Sequence, residues 1–299
     1  MLGSAFMALP TMFYFDVKGM GMELFILRIL QGIGFSCAFG VTGAIVSDNS
    51  SASDGKYLLG ILTVVGLLTQ AIGPSLGEYL INASGYHVLF QTASVFGLIS
   101  LGIAFLLPSR VSGGLSGIRG MNFDPGSLIA AAVLGIIFGS MVIFLPPYLM
   151  TRGVKNSSLF FIGFVLGGVL VWTVLYRMLR TLHNQGVWIV MSISLVALLV
   201  FVRWTDSPVV LGALSVFCGI GYGYLYPTLN AAIIGMNPTF KGIANSLFVW
   251  SFNIGMLLVS VVFGFMCEYI GYEPAFQATA SAGFIFIIAA GLIATRKAQ

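Results

Sequence analysis

Two landmarks in this chain recur at nearly one offset. Gly32-Ile33-Gly34-Phe35 returns as Gly219-Ile220-Gly221-Tyr222, 187 residues later. Gly85-Tyr86-His87-Val88-Leu89-Phe90-Gln91 returns as Gly271-Tyr272-Glu273-Pro274-Ala275-Phe276-Gln277, 186 residues later. A repeat this long is not the unit of a solenoid; it is a duplicated block, so the chain must fold into two related bodies.

The solvent of those bodies follows from charge. Only 7% of the 299 residues are charged and 58% are hydrophobic, whereas a soluble domain carries about 25% charged residues. No polar shell can be built from so few charges, so the bilayer is the solvent and the spanning elements are helices. Apolar spans of crossing length run over 1–15, 22–46, 57–80, 88–108, 125–149, 157–179, 186–203, 208–235, 243–267 and 275–295. The first shows no basic segment of a cleavable signal and reads as a membrane helix. The net charge of +4 forms no run, which gives no hint of nucleic acid. Cys37, Cys218 and Cys267 all lie in apolar stretches without metal-ligand spacing and read as small buried hydrophobes. His87 and His183 stand apart. With no His/Glu/Asp cluster or Ser-Lys pair, the expectation is a protein that is not an enzyme and needs no cofactor or metal.

The one long polar connection runs from Pro108 to Pro125, rich in Gly and Ser with Arg110 and Arg119. It divides the chain into an N-terminal bundle (1–108), a linker (109–124) and a C-terminal bundle of six helices (125–299). Lys56, Arg110, Arg119, Arg177, Arg180, Lys241, Arg296 and Lys297 fall on one side of the predicted membrane; Lys18, Arg152, Lys155 and Arg203 fall on the other. That excess places the linker and the C-terminus in the cytoplasm. Under the 187-residue shift Met1 corresponds to Trp188, so 125–184 has no counterpart. The expectation is an N-terminal half lacking two helices.

Two patterns carry mechanism. Arg28-Ile29-Leu30-Gln31-Gly32-Ile33-Gly34 lies inside the second span. A guanidinium in hydrocarbon is costly and is expected to face the bundle interior or water, and the glycines let a neighbouring helix approach. In the third span Gly60, Thr69, Gly73, Pro74 and Gly77 combine a proline bend with glycines that make it pliable. Tyr222, Tyr226 and Asn230 recur at i, i+4 and i+8 along one helical face. Asn253, in mid-span, needs a partner or water.

On these motifs the chain resembles the major facilitator superfamily. Arg28, Gln31, Gly32 and Gly34 match that family's fourth-helix motif. Gly60, Gly73, Pro74 and Gly77 match its fifth-helix antiporter motif, with Thr69 and Glu78 standing where the motif has glycine. The resemblance implies an all-α membrane fold of two pseudo-symmetric helical bundles, about ten transmembrane helices being present as family helices three to twelve. It implies a central cavity whose polar and aromatic candidates here are Arg28, Gln31, Phe35, Gln70, Phe138, Trp172, Tyr222, Tyr226, Asn230, Trp250 and Asn253. It also implies that Asp48 pairs with an arginine in a loop preceding Met1. The expected activity is secondary transport by alternating access. Its expected form is proton-coupled efflux of a small amphipathic compound. An importer or facilitator of a sugar or organic acid, with Arg28 holding a carboxylate, and a non-transporting membrane protein are the alternatives. Expected partners are the substrate, protons and the lipid bilayer; the expected state is a monomer in the plasma membrane.

Overall fold

The computed structural model describes residues 2–15, 17, 19, 21–48, 55–106, 122, 124–154, 158–175, 178 and 185–297. Every regular element among them is helical. The first half comprises α1 (Leu2–Met12), α2 (Met22–Asp48) and α3 (Gly55–Leu106). The second comprises α4 (Pro125–Gly139), continued through a π-helical turn (Ser140–Phe144) into α5 (Leu145–Thr151), then α6 (Ser158–Leu170) ending in a second π turn (Val171–Leu175). It continues with α7 (Gln185–Val200), α8 (Pro208–Gly235), α9 (Lys241–Ile270) and α10 (Tyr272–Lys297). Among the described residues, seven helical stretches are long and apolar enough to cross a membrane, and Leu2–Met12 and Gly186–Val200 are shorter apolar helices.

Local chemistry sets several ends. Asp124 caps α4: its Oδ2 accepts from the Ser127 N–H at 3.1 Å and the Ser127 hydroxyl at 2.6 Å, while Pro125 occupies a first-turn position whose N–H needs no partner. Pro208 opens α8 in the same way. The expected loops at 81–87 and 268–274 are far tighter than the apolar pattern suggested. Helix continues to one residue in each, Gly85 (φ 81, ψ 177) and Gly271 (φ 84, ψ 169). These are the glycines of the repeated Gly-Tyr landmark, and they hold nearly the same backbone state, one open essentially to glycine alone.

The other landmark is also repeated in space. A Cβ on Gly34 would lie 2.7 Å from backbone atoms of Gly3 and Met7 in α1, and one on Gly221 would lie 2.4 Å from Leu195 N in α7. Each glycine therefore sits where a helix crosses its predecessor at backbone contact, the packing that drives association when lipid removes the hydrophobic incentive.

Within the first half α1 packs on α2 and α3; in the second, α4 packs on α9 and α10, and α8 on α6 and α7. The main core belongs to the second half, with Leu59 and Leu67 of α3 joining it. Between halves α2 meets α9, and α3 meets α6 and α8. The cysteine expectation is corrected in part: Cys218 is buried, Cys267 is half-buried and Cys37 is exposed, its face of α2 left uncovered among the described residues. In α3 the backbone stays helical through Pro74, Gly85 being its one non-helical residue.

A two-lobed cleft and a closed end

Helix α2 carries Arg28, Gln31, Gly32 and Phe35 into a cavity of about 590 Å³ bounded by α1 and the second limb of α3. A second lobe of about 410 Å³ lies between α2 and α9 and is lined by Ser36, Trp250, Asn253, Ile254 and Leu257. Gly32 and Phe35 line both lobes, so they form one cleft divided by the Phe35 ring. No Cβ on Gly32 would meet another atom within 4 Å, so this glycine keeps the passage wide.

The polar side chains of the first lobe are organised. Tyr14 donates its hydroxyl to Gln31 Oε1 at 2.5 Å, Gln31 Nε2 donates to Thr11 Oγ1 at 2.8 Å, and Thr11 donates to the Met7 carbonyl at 2.9 Å. Arg28 lies over the Tyr14 ring, its guanidinium carbon 5.2 Å from the centroid, and Phe90 packs against the same ring at 5.3 Å. A cation over an aromatic face gains about 0.5–2 kcal/mol, which offsets part of the cost of a charge at this depth. Among the described residues lining the two lobes, Arg28 is the one charged group.

The remaining expected cavity residues lie elsewhere. Phe138 stacks on Tyr222 at 4.7 Å, Phe164 and Phe252 pack against both rings, and Tyr226 packs on Tyr222 and Phe252 in the second half's interior. Asn230 is buried there; its Nδ2 donates to Asn245 Oδ1 at 2.8 Å, while its own Oδ1 has no donor among the described residues. Gln70 is half-buried on α3 and lines neither lobe. Trp172 is 2% exposed and sits where α6 meets α3. A Cβ on Gly60 would come within 2.3 Å of its indole.

Of the third-span glycines only Gly60 is in tight contact. A Cβ on Gly73 meets nothing within 4 Å, and one on Gly77 meets Leu89 at an ordinary 3.6 Å. The side chains of Asp48, Pro74 and Glu78 lie outside the described residues.

Charge and pattern alone missed two groups. At the end of the molecule opposite the linker, Arg152 pairs with Asp206 and reaches Glu273 Oε1 at 3.4 Å, while Tyr148 donates to that same oxygen at 3.1 Å. This ties the end of α5, the turn before α8 and the start of α10. The hydrogen bond from Arg152 holds the Asp206 carboxyl below its usual range, against a smaller opposing effect of burial. At the linker end the Asn122 N–H donates to Asn237 Oδ1 at 2.8 Å, and Asn237 Nδ2 donates to the Asn122 carbonyl at 3.2 Å. Both groups join residues more than 50 positions apart in sequence, so no local spacing could announce them.

Comparison with known proteins agrees with this architecture. The sequence model of the Major Facilitator Superfamily matches residues 1–233. The chloramphenicol resistance protein CraA of Acinetobacter baumannii is 32% identical over 85 residues, covering 28% of this chain and 21% of that protein. A multi-drug resistance efflux pump PmrA homolog of Lactococcus lactis is 24% identical over 274 residues, covering 85% of this chain and 67% of that protein. The match to CraA thus spans well under two thirds of that relative's length. A solved transporter of the same superfamily, FucP in the outward conformation, superposes with a TM-score of 0.62 at 14% identity over 98% of this chain and 80% of its own. That likeness bears on the fold.

Proposed function

Because the chain belongs to the Major Facilitator Superfamily, whose members are transporters, we propose that it moves a small amphipathic organic compound out of the cell by alternating access, driven by proton entry. The observation that carries this reading is the cleft itself. It opens between α2 and α9 with aromatic and apolar walls, while α3 packs against α6 and α8 at the linker end. A cleft between the halves beside a packed contact between them is an arrangement that suits a rocking pair of bundles. Similarity to a chloramphenicol resistance protein and to a multi-drug resistance efflux pump homolog supports the direction and the substrate class.

Residues 1–108 and 125–299 are the two rocking bodies, with 109–124 and the C-terminus on the cytoplasmic side of the plasma membrane. The working unit is a monomer. Arg28, Gln31, Phe35, Trp250 and Asn253 contact substrate as it enters the cleft. Phe138, Tyr222, Tyr226 and Asn230 become accessible as the bundles tilt, and the substrate supplies the donor that Asn230 Oδ1 lacks.

Arg28 favours a second reading. A cation beside Gln31, Thr11 and an aromatic wall, with no carboxylate among the described residues lining the two lobes, suits an anionic carboxylate substrate, which makes a facilitator of an organic acid the competing activity. Proteoliposomes separate the two. Under an imposed proton gradient, expulsion of an amphipathic dye that stops on adding a protonophore supports antiport. Gradient-independent exchange of a labelled organic acid, abolished in Arg28→Ala, supports the facilitator. Neither flux in intact, folded vesicles would leave a membrane protein that does not transport, and the proposal would fail.

A further inference from the structure

Helix α8 contains a proline at Pro227. Proline has no N–H, so the carbonyl four residues earlier, on Gly223, loses its helical donor. At bilayer depth such a carbonyl must find another donor or remain expensively bare. It finds Trp172: the indole Nε1 donates to Gly223 O at 2.7 Å.

The same indole is one of the contacts between the halves. It lies across Gly60 of α3 so closely that a single added methyl carbon would overlap its ring carbons, at 2.3 Å. Tyr57, one turn earlier on α3, meets it edge-on with centroids 6.4 Å apart. One turn before Trp172, Gly168 receives Leu67 of α3, whose methyl would lie 2.3 Å from a Cβ there. Trp172 stands in a π turn, a local widening that re-aims side chains and recurs at functional sites.

Each part has a physical role that depends on the other. The ring seats on Gly60 in the orientation that the hydrogen bond to the proline-freed carbonyl holds. The carbonyl is available only because residue 227 is proline. We infer that Trp172 is the positioning residue that latches the linker end of the cleft shut, with Pro227 supplying its anchor and Gly60 its seat. The inference rests on the alternating-access reading, since a latch has meaning only where that end opens.

The test reads opening directly, without substrate or gradient. In a Cys37→Ser background, two reporters are labelled with a soluble maleimide in the purified protein. Leu59→Cys reports the closed end and Ser36→Cys reports the open lobe. Trp172→Phe keeps the ring but loses the N–H. It should speed labelling of the Leu59→Cys reporter roughly tenfold, the size expected for orphaning a buried carbonyl, and slow labelling of the Ser36→Cys reporter. Pro227→Ala restores a helical donor to Gly223, so the effect of Trp172→Phe should shrink several-fold in that background. Gly60→Ala, which wedges the seat, should open the same end even if the Trp172 variant folds poorly.

Faster labelling at both reporters would mean general loosening and overturns the latch. Unchanged rates, or an equal Trp172→Phe effect with and without Pro227, overturn it as well. Its failure is separable from that of the transport proposal: reciprocal labelling shifts without vesicle flux keep the latch and sink transport, and intact flux with flat labelling does the reverse.

Discussion

At the residue scale, two glycines picked out by motifs in successive helices have opposite surroundings. Gly34 lies against the backbone of α1, with three backbone atoms 2.7 Å from where a Cβ would stand, whereas Gly73 has open space around it. Backbone cannot yield as a flexible side chain can. Gly34→Ala should therefore cost about 1–3 kcal/mol by overpacking, read as a lowered thermal midpoint in detergent. Gly73→Ala should leave that midpoint unchanged or raise it, because alanine gains roughly 0.8–1 kcal/mol of helix propensity over glycine. Equal losses for both would show that the contact at Gly34 does not set the packing. The motif spacing picked out both glycines from sequence. It could not say which of them touches a neighbour, because that depends on where α1 crosses α2.

At the element scale the duplicated Gly-Tyr landmark is a structural joint. Gly85 and Gly271 turn one helix into the next within a single residue, at φ 81 and φ 84 with extended ψ. A side chain at such angles carries strain of about 1–3 kcal/mol. Gly85→Ala and Gly271→Ala should each lower the unfolding midpoint, and by similar amounts, since the two joints share a conformation. A tolerated substitution at either would mean the joint relaxes into a longer loop. The apolar periodicity located the helices on both sides but placed a loop between them. Hydropathy reports what faces lipid and does not register a turn made without polar residues. The π turns at Ser140–Phe144 and Val171–Leu175 escaped for a related reason: their sequences are as apolar as the helices they interrupt.

At the scale of the whole molecule, Arg152 joins three segments of the second half through Asp206 and Glu273. The sign of its pH dependence follows from Asp206. Its folded carboxyl titrates below its unfolded value, so the stabilisation is complete above about pH 4 and is lost as pH falls through the lower folded value. Both side chains are substantially exposed, so the effect is small and screened by salt. The difference in thermal midpoint between wild type and Arg152→Met should be larger at pH 7 than at pH 3, and should shrink on adding salt. A difference that grows on acidification would show that another group dominates the acid limb.

The sequence by itself determined that this is a helical membrane protein, that two landmarks recur along it at one offset, and which helix carries the arginine of the cleft. Those follow from the scarcity of charge and from repeated local spacings, and both are properties of the linear chain. The tertiary structure alone decided how one set of polar and aromatic residues divides. Arg28, Gln31, Phe35, Trp250 and Asn253 face the cleft. Phe138, Tyr222, Tyr226 and Asn230 fill the second half's interior, and Trp172 is seated between the halves. Every one of them lies on an apolar helix, and a helix surrounded by lipid on one side and helices on the other has little hydropathic contrast to mark which face is which. Only the crossing of particular backbones, at Gly34 and Gly60 above all, fixes what each side chain meets.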